Sequence, residues 1–442
     1  MNNVAKIQDE LGHHEEAITA YQEAIDFCRT LAKEAPGKFL GTLAQCLANL
    51  AKSLSAVGWR QEALAAIQES VAQYQQLAGA RPDSFEPGWA ISLTNLSANL
   101  IDMGCREQAL EAAHQGTTLF RQLAFRRPDS FLSQLATSLL NLGMIQSASG
   151  QWEAGCSSAA EAIDLYRKWT KLFPDAAPTE LAVGLLNLGE DLSRLGRDGE
   201  ALEVTREAVM ILRDLYSSRP GVARPDLGLG LNNLGAMLHR VGRYEEALAV
   251  AKEAVDLHRE LTAAYPQRFT ADLARSLTNF ATQLSENGRR EEALEFSQEA
   301  VDLYRGLAAI NPEALPELAL SLNNLGGALG ELQQNVEAFD VFCEAIEIER
   351  RLADLCPQVV LPDLARSLHN FGFLLYNMDR RSAAVAKLRE AVAFRRRLYA
   401  ERPEAYAGVF QVSLYLLSAA LRKKGARKEA VEIAEEAARV KC

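Results

Sequence analysis

No apolar run in this 442-residue chain approaches the ~18–20 residues that a membrane-crossing helix needs, and no signal peptide precedes its first repeat. The seven cysteines are odd in number and none are spaced CxxC, which argues against a disulfide framework and against a zinc site. A reducing, cytoplasmic setting is therefore expected. The six histidines (His13, His14, His114, His239, His258 and His369) form no HExxH and no triad-like order. No GxxxxGK[ST] phosphate loop occurs, and Gly228, Gly230 and Gly235 fall within a helical pattern that no strand precedes. Catalytic residues, metal ligands and cofactors are thus not expected. A formal net charge of −11 disfavours nucleic acid as a partner, and nothing points to a membrane.

What is present is a repeat. Residues 231–266 read LNNLGAMLHRVGRYEEALAVAKEAVDLHRELTAAYP. Leu231, Leu234, Leu238 and Val241 recur at helical spacing, so one face of a first helix is apolar. Gly242 stops it, because the residue past a helix end often needs positive φ. Glu245 and Glu246 then place negative charge in the first turn of a second helix. Ala247, Ala251 and Ala254 let the two helices approach closely, and Pro266, lacking an N–H, is expected to end the unit. One hairpin cannot bury both of its apolar faces, so it must stack on copies of itself.

The copies follow in register. The proline recurs as Pro36, Pro82, Pro128, Pro174, Pro220, Pro266, Pro312, Pro357 and Pro403, every 46 residues with one step of 45. The corner glycine recurs as Gly12, Gly58, Gly104, Gly150, Gly196, Gly242, Gly288 and Gly425, with Gln333 and Asp379 in the two other corners. The packing alanine recurs nine times, with Gly155 in the tenth place. Length alone would suggest several domains, but the unbroken register overrides it. The expectation is one all-α array over 1–442, built of about ten antiparallel helix hairpins. Their bounds are approximately 1–35, 36–81, 82–127, 128–173, 174–219, 220–265, 266–311, 312–356, 357–402 and 403–442, the first and last incomplete, as if cut from a longer protein.

Leu234-Gly235, Leu238, Gly242, Tyr244, Ala247, Ala251 and Ala254 resemble the tetratricopeptide pattern in order and spacing. The repeat is longer than that family's 34 residues, so both helices should be longer. In this it is similar to kinesin-light-chain-type arrays and to the long arrays of signalling NTPase-associated proteins. The resemblance implies an α-solenoid, a right-handed superhelix whose concave groove holds a protein or peptide partner.

An asparagine recurs in the first helices: Asn3, Asn49, Asn95, Asn141, Asn187, Asn233, Asn279, Asn324 and Asn370. Asparagine is a mediocre helix former, at a cost of up to ~0.7 kcal/mol against alanine. An amide offers donor and acceptor together, so it can grip an extended peptide backbone without reading its side chains. By the resemblance, this position faces the groove; alternatively, each amide bonds the neighbouring hairpin and sets the repeat spacing. Helical spacing adds Lys52, Arg194, Arg240 and Phe373 to the same stripe as variable contacts. Arg29, Arg121, Arg167, Arg213, Arg259, Arg305, Arg350 and Arg396 recur late in the second helices, where a structural role is expected. From Asp379 onward, 15 Lys and Arg stand against 8 Asp and Glu.

The function expected is a non-enzymatic interaction scaffold that binds a peptide or partner segment through the asparagine ladder. The rival is the sensor region of a larger signalling protein whose NTPase or protease-like domain lies outside these residues.

Overall fold

The structure, a computed structural model, describes residues 2–10, 13–173, 178–218, 220–355 and 357–440. Among them are twenty α-helices, one short 3₁₀ turn and no strand. The corner at Gly12 and the proline at Pro174 lie outside the described residues.

Contacts divide the chain into two units, Met1–Asn233 and Leu234–Cys442. The first contains α1 (Asn2–Glu10), α2 (His14–Glu34), α3 (Pro36–Ala56), α4 (Arg60–Ala80) and α5 (Pro82–Asp102). It continues through α6 (Arg106–Arg126), α7 (Pro128–Ala148), α8 (Trp152–Leu172), α9 (Pro178–Arg194) and α10 (Asp198–Ser218). The division falls inside α11 (Pro220–Arg240). The second unit contains α12 (Tyr244–Ala264), α13 (Pro266–Glu286), α14 (Arg290–Ile310), α15 (Leu315–Glu331) and α16 (Asn335–Leu355). It ends with α17 (Pro357–Asn377), α18 (Arg381–Glu401), α19 (Pro403–Lys424) and α20 (Arg427–Arg439). Within each unit, consecutive helices pack together and each odd-numbered helix also touches the next odd-numbered one. This is the nearest-neighbour topology of a helical-repeat solenoid.

Most helices run 21 residues, so the extra length of the repeat is spent inside them. The proline does not end a hairpin: it opens the next one. Pro82, Pro128, Pro266 and Pro403 occupy the first helical position, where the missing N–H has no intrahelical partner to lose. A single residue, Arg81, Arg127, Tyr265 or Arg402, separates the two helices. The 45-residue step lies at a 3₁₀ turn, Pro312–Ala314, where the Asn311 side chain accepts the Glu313 N–H at 3.0 Å.

The packing alanines Ala17, Ala63, Ala109, Ala201, Ala247, Ala293, Ala338, Ala384 and Ala430 are all 0% exposed. Only a methyl group fits where two helix backbones meet. At Gly155 even that is excluded. A Cβ there would collide with the Ser147 hydroxyl and stand 2.9 Å from the Asp191 carboxylate.

On the exposed side, arginines join hairpins. Arg29 meets Glu69, Arg121 meets Glu161 and Arg167 meets Glu207, each 40 residues on, at 2.5–2.8 Å. In the second unit Arg259, Arg305, Arg350 and Arg396 meet Glu299, Glu344, Glu390 and Glu436 at 2.6–2.8 Å. Each exposed pair contributes at most about 1 kcal/mol, so these arginines fix register more than stability.

Helix α19 departs from expectation, being long and apolar enough by composition to cross a bilayer. Its apolar face is occupied, however: Phe410, Leu414, Leu417 and Leu421 pack with Val385, Leu388 and Val392.

Seven corner glycines adopt φ of 73–94°, and Gln333 and Asp379 adopt 60° and 59° without being glycine. A side chain at such φ costs roughly 1–2 kcal/mol. Gln333→Gly is therefore expected to stabilise the second unit by about 1 kcal/mol, read as a higher denaturant midpoint. Asp379→Gly should gain less, because Asp379 accepts bonds from Arg381 and Lys423 that hold its carboxyl down at about 2.

Candidate functional site

The ladder residues Asn49, Asn95, Asn141, Asn187, Asn233, Asn279, Asn324 and Asn370 are all half-buried, so one environment recurs along the odd-numbered helices. In the first unit, Asn49 and Asn95 line one cavity of about 500 Å³ together with Gln45, Ile91, Tyr74 and Phe85. In the second, Asn370 and Phe373 line another of about 720 Å³ with Asn377, Gln333 and Asn335. The side chain of Asn3 lies outside the described residues.

Hydrogen bonding separates the ladder amides. Asn141 Nδ2 donates to Ser97 Oγ at 2.7 Å, and Asn370 Nδ2 to Asn323 Oδ1 at 3.2 Å; each acceptor belongs to the preceding hairpin. Asn187 Nδ2 is buried and has no acceptor. The cause is one substitution, since the place of Ser97 is taken one hairpin later by Gly143. Bridging to the preceding hairpin thus occurs at Asn141 and Asn370, where that hairpin supplies an acceptor, and not at Asn187 Nδ2, where it does not.

The charged candidates are engaged locally. Arg194 donates to Glu190 at 2.6 Å within its own helix. Lys52 Nζ, on a largely exposed side chain, lies 3.8 Å from Asp9 Oδ2. Arg240 is exposed. Phe373 is 51% exposed, high for a phenylalanine, and is the apolar group of the second-unit cavity that faces solvent.

Sequence reading missed a set of polar bridges beside the ladder. Ser53 donates to Asp9 at 2.8 Å, Ser55 to Asn99 at 2.7 Å and Ser147 to Asp191 at 2.6 Å, each joining neighbouring odd-numbered helices. Burial raises the Asp191 carboxyl above the usual range, and the Ser147 bond partly offsets this.

It also missed a buried ionisable series in the second unit. His258 is 2% exposed and hydrogen-bonded with Ser276 at 2.8 Å, and burial lowers its pKa. Tyr74, Tyr166 and Tyr304 hold the same place in other hairpins, so His258 fills a packing position. The same place holds Glu349 and Arg395 further on. Glu349, 1% exposed, accepts from Ser367 at 2.8 Å, while its other oxygen is buried without a partner. Burial pushes its carboxyl up to about 7. Arg395 donates to the Val409 carbonyl at 2.7 Å and to Ser413, which is hydrogen-bonded with His369 at 2.9 Å. Burial, then the Arg395 charge, lowers His369 to about 4. Register comparison from His258 would have found Glu349 and Arg395, but not His369, which lies on a first helix.

Among the described residues no cluster of His, Cys, Asp and Glu could hold a metal ion.

Models of the tetratricopeptide repeat match residues 1–30, 226–306 and 364–403. A model of anaphase-promoting complex subunit 5 matches 29–79 and 117–171. No curated protein matches the chain. Among solved structures, a Rap protein complexed with competence and sporulation factor is similar at 14% identity and a TM-score of 0.53, over 90% of this chain and 99% of that one. Aspartyl phosphate phosphatase F from Bacillus subtilis is similar at 12% identity and a TM-score of 0.52, over 91% and 93%. A putative kinesin light chain from Podosopora anserina, with nearly identical TPR-like repeats, matches at 17% identity and a TM-score of 0.39, over 51% and 98%. At these identities the first two likenesses show the fold alone.

Proposed function

We propose that this tetratricopeptide-repeat protein is a non-enzymatic, cytoplasmic scaffold that holds an extended peptide or partner segment against the asparagine ladder. The observation that carries this reading is the placement of Asn49 and Asn95 together on one cavity wall, with Asn370 on another. Half-buried amides beside a cavity can exchange hydrogen bonds with a peptide backbone and still leave side-chain choice to their neighbours. The neighbours vary: Gln45 and Ile91 flank Asn49 and Asn95, whereas Phe373 and Asn377 flank Asn370. A backbone grip with local selectivity suits a protein or peptide partner. Neither nucleic acid nor a membrane surface is called for by these groups.

The test uses a displayed library of random peptides panned on the whole chain, with affinities of selected peptides measured by titration. Each amide contributes about 0.5–1.5 kcal/mol net. Asn95→Ala with Asn187→Ala should therefore weaken selected first-unit binders by about tenfold or more, with the melting temperature unchanged or raised. Asn141→Ala should instead lower stability slightly, because its bond to Ser97 is lost. Full-strength binding by the double variant, or a wild type that selects no peptide, would remove the ladder's role.

A further inference from the structure

The cavity of the second unit is lined by three glycines, of which internal packing requires only one. Gly326, Gly327 and Gly330 lie within five residues of α15. Glycine in a helix interior is destabilising by roughly 1 kcal/mol against alanine, so three together need a reason. Gly326 has one: a Cβ there would stand 2.9 Å from the Phe342 ring. Gly330 needs none, since its Cβ would make ordinary contact with Leu374 at 3.4 Å. Gly327 has no internal reason, because its Cβ would meet nothing within 4 Å. Equivalent places in other hairpins hold Lys52, Ala98, Met144, Glu190, Ala236, Thr282 and, directly across the cavity, Phe373, so only here is a side chain wholly absent.

The chemistry of the walls is specific. Phe342 and Leu374 give an apolar floor, and the half-exposed Phe373 ring offers a face. Asn370 commits its Nδ2 to Asn323, which leaves its carbonyl oxygen as an acceptor for a peptide N–H. The one charged lining group, Glu331, is already neutralised, accepting from Ser285 Oγ and Arg290 Nε at 3.0 Å each. An apolar floor, a free ring face and an uncharged amide rim select against anions and cations alike.

We propose that the cavity between α15 and α17 is a specificity pocket that takes one uncharged aromatic side chain of the bound segment, stacked on Phe373 above the Gly327 backbone. The inference rests on the peptide-holding reading above and names what that site selects. Gly327 lets the ring approach the helix as closely as a backbone allows, and the Asn370 carbonyl receives the main-chain N–H of the residue that bears the ring.

Two variants test it in the full chain. Gly327→Leu fills the cavity from a position whose Cβ meets nothing within 4 Å and improves helix propensity, so its melting temperature should equal or exceed that of the wild type. Phe373→Ala removes the stacking face. With N-acetyltryptophanamide as the probe, saturation-transfer NMR should show contact in the wild type and at least a fivefold weaker signal in both variants, while N-acetylglutamate and N-acetylarginine amides give none. Library peptides selected on the second unit should lose at least tenfold in affinity when their aromatic residue becomes alanine, and again on Gly327→Leu. Equal signals in wild type and Gly327→Leu, or equal signals from the charged probes, would overturn the proposal. If peptides weaken on the Asn95/Asn187 double variant but not on Gly327→Leu, the ladder stands and the pocket falls. If the ladder variants bind fully while the tryptophan probe still needs Gly327, the pocket stands and the ladder falls.

Discussion

Alanine in place of Phe342 is expected to lower the stability of the second unit by about 3–5 kcal/mol. The ring is 1% exposed and stacks on Phe371 at a centroid distance of 5.8 Å, within the cluster that joins α15, α16 and α17. On one side nothing can fill the vacancy, because the residue that faces the ring there is Gly326, which has no side chain. The loss should also be local, since each hairpin packs mainly on those beside it. Native-state hydrogen exchange should quicken most in α15 to α18 and progressively less over α13–α14 and α19–α20. A uniform loss of protection from α13 to α20 would contradict nearest-neighbour packing.

The second large effect is a pair of opposed pH dependences hidden in the wild type. Glu349 titrates at about 7 in the folded chain; burial is the main cause, Asp363 adds to it, and the Ser367 bond and Arg366 oppose it. Between its ordinary value of 4.5 and 7 the folded state holds a proton that the unfolded state has released, so stability falls as pH rises. His369, at about 4 against an ordinary value of 6.5, does the reverse: stability falls as pH drops through that window. Both act in the same unit over nearly the same range and largely cancel. Glu349→Gln should expose the histidine, giving stability that rises by roughly 1.4 kcal/mol per pH unit between about 4.5 and 6.5 relative to wild type. His369→Asn should expose the glutamate, with the opposite slope. Urea unfolding from pH 4.5 to 7 reads both, and parallel curves for the two variants would refute the assignment.

The stack was legible because its demands are local and repeated. A methyl group at Ala247, positive φ at Gly242 and apolar positions at Leu231 and Leu238 are each fixed by one hairpin's own geometry. The proline was misread for an equally physical reason. With a one-residue linker such as Tyr265, a proline after one helix and a proline at the start of the next are the same residue. The asparagine positions were legible, but their bonding was not. Whether Asn141 or Asn187 is held depends on what the previous hairpin offers, Ser97 or Gly143, and a single helix does not carry that information. The pocket was harder still to find, because it is made by an absence at Gly327.

The arginine staples carry a consequence for how such a chain can change length. Each joins one second helix to the next and is indifferent to which hairpin supplies its partner. Excising residues 266–311 would place Arg259 39 positions before Glu344, the separation that Arg305 and Glu344 have now. Tyr265 would then abut Pro312 as a one-residue linker of the kind already used elsewhere. Loss of a whole repeat thus leaves Arg259 with a matching counterpart, and the 45-residue step shows that the joint absorbs a one-residue change, since Arg305 still meets Glu344. The joint-to-joint segment is therefore the length by which this stack can grow or shrink without needing a new contact.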